Sequence, residues 1–197
     1  MSNLLIFAGP NGSGKSTITS GMKTFGEYVN ADIIKQSVDC TDLEAAQIAT
    51  ATREYLLAQN SDFTFETVLS TIRNIDLMIQ AKQQGYHIVC IYVLTSNPDI
   101  NIARVNYRFE HGGHFVPENK VRDRYCRALR LIPKLFPICN ELYIFDNSNK
   151  VGEGEPSMIL SCVNGTIEVK PNEVWNVDMI KSLIAGKYPD EYILDSN

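Results

Sequence analysis

Residues 4–8, Leu-Leu-Ile-Phe-Ala, form a short unbroken apolar run that stops at Gly9-Pro10-Asn11-Gly12-Ser13-Gly14-Lys15-Ser16-Thr17. An apolar run of this length, closed by glycine and proline, reads as a buried strand entering a tight loop, and the residues after Gly14 read as a helix. A buried strand followed at once by a helix commits the chain to parallel pairing, with covering layers on the faces of a sheet.

The rest of the chain follows the same alternation. Residues 28–30 predict a brief strand and 33 onward a helical stretch. Thr41-Asp42-Leu43-Glu44 is a capping box opening a helix to about residue 59. The first helix is expected over 15 to about 25. Strands are expected at 63–66, 87–94 and 142–145, with helices over 72–84, 97–110 and 117–135 between them. Two further strands, 158–163 and 166–169, flank Asn164-Gly165, a dipeptide suited to the left-handed backbone of a hairpin turn, and a last helix is expected around 173–185.

The loop matches GxxxxGK[ST] in full, in the strand-to-helix context that this pattern requires. Its chemistry is direct. Glycines let successive backbone N–H groups turn inward around a phosphate, and the following helix adds the positive end of its dipole. Lys15 is suited to the β/γ oxygens of a nucleotide and the Ser16 hydroxyl to a magnesium ion, so ATP and Mg²⁺ are the expected ligands, bound over residues 9–17. The expected fold is α/β, a P-loop NTPase/kinase-type three-layer architecture with a mainly parallel sheet plus a C-terminal β-hairpin and helix. It is read as one domain over 1–197, with a helical lid at about 98–136 and the hairpin and helix at about 157–187.

Composition narrows the function classes. The 197 residues carry 18 basic and 23 acidic side chains, a net charge of −5, which argues against a nucleic-acid coat or a polybasic membrane binder. No apolar run approaches the about 20 residues needed to span a bilayer, and the N-terminal residues lack the basic region of a signal peptide. The five cysteines are odd in number and none lies at CxxC spacing, and His111 and His114 have no third ligand at zinc-site spacing. A cytoplasmic protein is expected. Asn149-Lys150-Val151-Gly152 lacks the aspartate of a guanine-reading motif, and the Asp190-Glu191 pair does not end a core strand. A small-molecule kinase needs instead a carboxylate near an acceptor hydroxyl and arginines over the phosphates.

Both features have candidates. Asp32 follows the second expected strand, at the edge where α/β sheets bind ligands. It is suited to accepting a hydroxyl proton and equally to capping the next helix. Glu66 ends the third strand at the same edge, followed by Thr67, Ser70 and Thr71 as donors to a polar acceptor. Residues 104–130 invert the charge balance: Arg104, Arg108, Lys120, Arg122, Arg124, Arg127 and Arg130 face three acidic residues, leaving +4 here and −9 elsewhere. Two basic helices around Gly112-Gly113 read as a lid over phosphates, where one arginine is worth about 10³–10⁵ in rate. The same pattern also suits a salt-bridged surface or an RNA-binding stripe, although few aromatics interleave with the arginines.

Taken in order, the residue 9–17 loop, Asn30-Ala31-Asp32, Phe65-Glu66-Thr67-Val68-Leu69-Ser70, and Arg104-x-x-x-Arg108 before Gly112-Gly113-His114-x-Val116-Pro117 resemble the zeta toxin family of P-loop kinases, over about residues 4–147. The hairpin tail resembles that of the family's single-chain bacterial branch. The resemblance implies phosphoryl transfer from ATP to a sugar hydroxyl, as characterised zeta toxins do to UDP-N-acetylglucosamine, and an antitoxin protein as partner. It implies that Lys15 and Ser16 serve nucleotide and magnesium, that Asp32 is the acceptor-activating base, that Glu66 contacts substrate and that Arg104 clamps phosphate. The family has Glu-Gly-Thr where this chain has Glu66-Thr67-Val68. Its second lid arginine falls near His114, with Arg122 or Arg124 as the replacement. The competing reading is a nucleotide-dependent switch or ATPase that binds RNA or a protein through the basic helices.

Overall fold

The computed structural model describes residues 1–113, 115–149, 155–188 and 190. Its elements, in chain order, are β1 (Asn3–Ala8), α1 (Lys15–Thr19), β2 (Glu27–Val29), α2 (Ala31–Ser37), α3 (Asp42–Ala58), β3 (Phe63–Thr67), α4 (Ile72–Gln83), β4 (His87–Leu94), α5 (Pro98–Glu110), α6 (Glu118–Leu131), β5 (Glu141–Asp146), β6 (Ser157–Val163), β7 (Thr166–Val169) and α7 (Val177–Ile184). The strands form one sheet in the order β2-β3-β1-β4-β5-β6-β7. The first five are parallel, while β6 and β7 add antiparallel pairs. This is the mainly parallel α/β architecture expected from the sequence.

The strand order fixes where a ligand can sit. From central β1 the chain moves outward to β2, returns through β3 to β1's side, and then crosses to β4 on the other side. Such a reversal opens a crevice beyond the carboxyl ends of the strands. The glycine loop leaves β1 there. Register brings Ala8 beside both Thr67 and Tyr92, so the ends of β3 and β4 flank the loop's first residue.

The two faces of the sheet differ. On one, alternate residues Leu4 and Ile6 of β1, Ile88 and Cys90 of β4, and Leu142 and Ile144 of β5 pack against α3, α4, α6 and α7 in the main core. On the other, Leu5, Phe7 and Ile91 meet Ile18 of α1 and Phe25 and Tyr28 around β2, a thinner layer. α5 joins α6 through Ile102, Val105 and Val121. Among the described residues no helix is long and apolar enough to cross a membrane.

Several boundaries differ from expectation, each for a local reason. α1 ends at Thr19 rather than near residue 25. Gly21 is a poor helix former, and the buried Thr64 hydroxyl captures the next segment by accepting from the Phe25 N–H and donating to the Phe25 carbonyl, both at 2.8 Å. α6 gives way after Leu131 to a short 3₁₀ turn, Ile132–Lys134, containing Pro133, which has no N–H to continue the α-helical ladder. α7 begins at Val177 rather than near 173, because Asn172 Oδ1 accepts from the N–H groups of Val174 and Trp175 and folds those residues into a turn, leaving Asn176 to cap the helix. The hairpin matches its expectation: Asn164 and Gly165 have φ of 49° and 82°. The Thr41/Glu44 capping box is formed in both directions.

Thr64 is wholly buried, so Thr64→Val leaves the Phe25 amide group without its partners. The expected loss of stability is about 2 kcal/mol by urea unfolding, and a loss below about 0.5 kcal/mol would contradict this anchoring role.

Candidate active site

The phosphate loop is built to a tight tolerance. A Cβ on Gly12, whose φ is +78°, would stand 2.4 Å from the Asn101 carbonyl oxygen of α5. One on Gly14, at φ +88°, would stand 2.0 Å from Asn147 Nδ2 beyond β5. Both positions therefore exclude any side chain. The neighbours that press on the loop also hold it. The buried carboxamide of Asn101 donates to the Asn11 carbonyl at 2.7 Å and accepts from the Thr95 hydroxyl. Asn147 Nδ2 donates to the Ser13 carbonyl at 2.8 Å. Carbonyls turned outward to these amides favour convergence of the loop's N–H groups on an anion, apart from that of Ser13, which donates to the Pro10 carbonyl at 3.2 Å.

Lys15, at the start of α1, is only 8% exposed. Its ammonium group donates to the carbonyls of Gly9 at 2.8 Å and Pro10 at 3.3 Å, and lies 3.7 Å from Glu66 Oε1. Burial pulls its pKa down from the usual lysine value. The Glu66 carboxylate opposes that fall, Arg108 deepens it and the Asp32 charge opposes it. The other oxygen of Glu66 accepts from the Tyr28 hydroxyl and from Asn30 Nδ2, each at 3.1 Å. Asn30 Oδ1 in turn accepts the Asp32 N–H at 2.8 Å and caps α2. One connected chain of contacts thus runs from the phosphate loop to the head of α2.

That cap removes the capping alternative for Asp32. Asn30, not Asp32, is the N-cap, because its carboxamide reaches back over the first turn. Asp32 sits one residue inside the helix, exposed, and no hydrogen bond or ion pair ties up its carboxylate among the described residues. Burial raises the Tyr28 pKa, with the Asn30 hydrogen bond opposing and the Glu66 charge reinforcing the rise.

The arginines divide. Arg104 donates to the Gly12 carbonyl at 3.4 Å and the Asn149 carbonyl at 2.5 Å, and Arg124 donates to Asn11 Oδ1 at 3.3 Å. Arg108 is exposed, and its charge is felt at Lys15. Arg122 is held by Asp99 at 2.5 Å in an exposed ion pair, so of the two candidate replacements Arg124 is the one brought to the loop. His114 lies outside the described residues. Thr67 stands at the edge beside Ala8, with its hydroxyl oxygen accepting from the Leu69 N–H at 2.9 Å and from Asn74 Nδ2 at 2.6 Å, a local turn rather than an open contact. Ser16 and Thr17 are exposed at the head of α1.

Tyr28, Asn101 and Asn147 have no sequence signal as site residues, because each earns its place by a contact with the loop or with Glu66 from far along the chain. Asn147 came nearest to being legible, since it directly follows a core strand. The loop fits a bound phosphate on its own terms: two cradle positions reject any side chain, a lysine ammonium is buried, and the wholly buried Ser13 hydroxyl has no hydrogen-bond partner among the described residues.

Because Glu66 raises what burial lowers, Glu66→Gln should move the Lys15 titration to lower pH, followed by NMR of ¹³C-methylated lysines. The charged ammonium is then retained only to a lower pH and lost as pH rises through the new value. An unmoved titration would show that the pair is not coupled.

No family model matches the chain. An uncharacterized protein of Haemophilus influenzae is 32% identical over 132 residues, which cover 64% of this chain and 94% of that protein. Among solved structures, a chain of the AvrRxo1-ORF1:AvrRxo1-ORF2 complex with sulphate ions matches 95% of this chain at TM-score 0.71 and 17% identity. The AvrRxo1 complex with ATP matches at TM-score 0.70 and 17% identity. This chain spans less than two thirds of those chains, 65% and 64%. A chain of the PezAT toxin–antitoxin system of Streptococcus pneumoniae matches 97% of this chain and 81% of its own length at TM-score 0.56 and 16% identity. These structural likenesses are of fold, and they agree with the P-loop kinase-type α/β architecture read from the sequence. The identity to the Haemophilus influenzae protein, running through nearly all of its length, shows kinship, and the chain belongs to that protein's family.

Proposed function

We propose that the protein is an ATP-dependent kinase that phosphorylates a hydroxyl of a small polar acceptor, of the sugar or nucleotide-sugar class to which UDP-N-acetylglucosamine belongs. The observation that carries this reading is the position of Glu66, which faces the Lys15 ammonium with one carboxylate oxygen and holds Tyr28 and Asn30 with the other. A plain nucleotide switch has no need to join its phosphate lysine to a second polar edge. A phosphotransferase does, because acceptor and phosphate must meet in line.

Asp32 is the base in this reading: its carboxylate is exposed, free of other partners among the described residues, and close enough to be felt at Lys15. Glu66 orients the acceptor, Lys15 and the loop amides hold the phosphates, and Ser16 is the metal-side hydroxyl. Bound ATP with Mg²⁺ would supply the transferable phosphoryl group and neutralise its charge. Arg104 and Arg124, already in contact with the loop, carry positive charge towards the phosphates from α5 and α6, with Arg108 beside them, so that residues at about 98–136 act as the lid. The AvrRxo1 complex with ATP and the PezAT toxin–antitoxin system support nucleotide use and an antitoxin partner as parts of the same proposal.

The competing reading, RNA or protein binding through the basic helices, draws less support. Arg122, Arg127 and Arg130 are engaged by Asp99, Asp123 and Asp190, so much of the positive surface is already neutralised by protein carboxylates.

Asp32→Asn should bind ATP as the native chain does and lose about 10²–10⁴ in transfer rate. Lys15→Ala should weaken nucleotide use itself. Both are read by labelled-ATP binding beside phosphoryl transfer, and full transfer by Asp32→Asn would remove Asp32 as the base.

A further inference from the structure

A groove lies away from the phosphate loop. It occupies about 390 Å³ between α3 and α4 and is lined by Thr50, Arg53 and Glu54 on one side and Arg73, Asn74 and Asp76 among others on the opposite side. Arg53 is the unusual residue. It is only 8% exposed, yet no carboxylate pairs with it among the described residues. Its guanidinium lies over the Phe65 ring, 5.1 Å from the centroid, and one nitrogen donates to the Thr50 hydroxyl at 3.0 Å. A guanidinium has five N–H donors, and the Thr50 hydroxyl takes one of them, at a side chain that lines the groove.

A buried cation without a counter-ion is costly, and the face of the Phe65 ring offsets only part of that cost. Burial pulls the Arg53 pKa down; nearby Glu54 opposes this and nearby Arg73 adds to it. Arg73 is exposed and carries no ion pair among the described residues. The carboxylates of Glu54 and Asp76 stand exposed on the lining. They disfavour a bare polyanion and can accept from hydroxyl groups. The floor of the groove is also tied to the transfer edge. Asn74 donates to the Thr67 hydroxyl, and Phe65 precedes Thr67 by two residues, about 7 Å along β3 on the same face.

We infer that this groove is an anion subsite of the acceptor, taking the phosphate or carboxylate of a hydroxylated small molecule on Arg53 and Arg73 while its hydroxyls meet Glu54 and Asp76. The inference rests on the kinase reading for the word acceptor, and on the groove alone for anion binding.

The test uses the full chain with arginine side-chain NMR. Inorganic phosphate should shift the Arg53 and Arg73 Nε–H signals saturably, separately from the amide signals of the phosphate loop. Arg53→Met should abolish the α3–α4 shifts and keep the loop shifts. Arg73→Met, at an exposed position where folding is not at stake, should weaken the groove's phosphate affinity about tenfold, the range of one charge-assisted contact. Shifts confined to the loop, or groove shifts unaltered by both variants, would overturn the site. In turnover, Arg73→Met should raise KM about tenfold for a sugar phosphate with kcat unchanged, and leave the unphosphorylated sugar unaffected. Equal KM for native and variant chains on the sugar phosphate would overturn its link to the acceptor. Groove shifts in a chain that transfers no phosphate to any acceptor would retire the kinase reading and leave the anion site standing.

Discussion

An ammonium group taken out of water must find its hydrogen-bond partners within the protein, and the phosphate end of this molecule is arranged around that requirement. Lys15 is buried; the Gly9 and Pro10 carbonyls accept from its ammonium, and the Glu66 carboxylate 3.7 Å away balances its charge. Meeting them sets other positions in turn. Glu66 must end β3 beside β1, which the parallel register supplies by pairing Phe7 with Glu66 and Ala8 with Thr67. Its second oxygen must also be satisfied, and Tyr28 and Asn30 of the β2–α2 junction do so. The edge of the sheet farthest from the tail is thereby tied to the loop through a single carboxylate.

The opposite side of the loop is governed by neutral amides. Asn101 and Asn147 arrive from α5 and from the end of β5, and each takes a loop carbonyl. Arg104 joins them on the Gly12 carbonyl from the same helix as Asn101. A shift of α5 therefore acts on the loop directly. The tail has a related anchor: the buried Asp146, next to Asn147, accepts from the Ser148 N–H at 3.0 Å and from Asn172 Nδ2 at 3.0 Å. The segment after the hairpin thus helps hold the strand end from which Asn147 reaches the loop.

The parts of this arrangement that were legible in sequence are those set by local chemistry. The glycine pattern announces the loop, Asn164-Gly165 announces the hairpin, and Thr41 with Glu44 announces the start of α3. Length was harder to read where distant residues compete for the backbone: Thr64 stops α1 from continuing, and Asn172 delays α7. The site divides in the same way. Asp32, Glu66 and Arg104 follow or face the predicted strand ends and could be named from the chain. Tyr28, Asn101 and Asn147 could not, since each matters only through a partner tens of residues away, nor could Arg53, whose ring partner Phe65 lies on another element. The basic segment from 104 to 130 looked uniform in sequence, yet folding divides it into arginines on the loop and arginines bound to surface carboxylates.

In the proposed function the loop serves phosphoryl transfer to a small hydroxylated molecule. The most direct measurement incubates the full chain and Mg²⁺ with ATP labelled at the γ-phosphate and a metabolite extract, then separates the products by mass. Label is expected on a discrete small molecule, gained as one phosphoryl group and lost in the Asp32→Asn chain. Label recovered only as inorganic phosphate, or on RNA or protein, would contradict it.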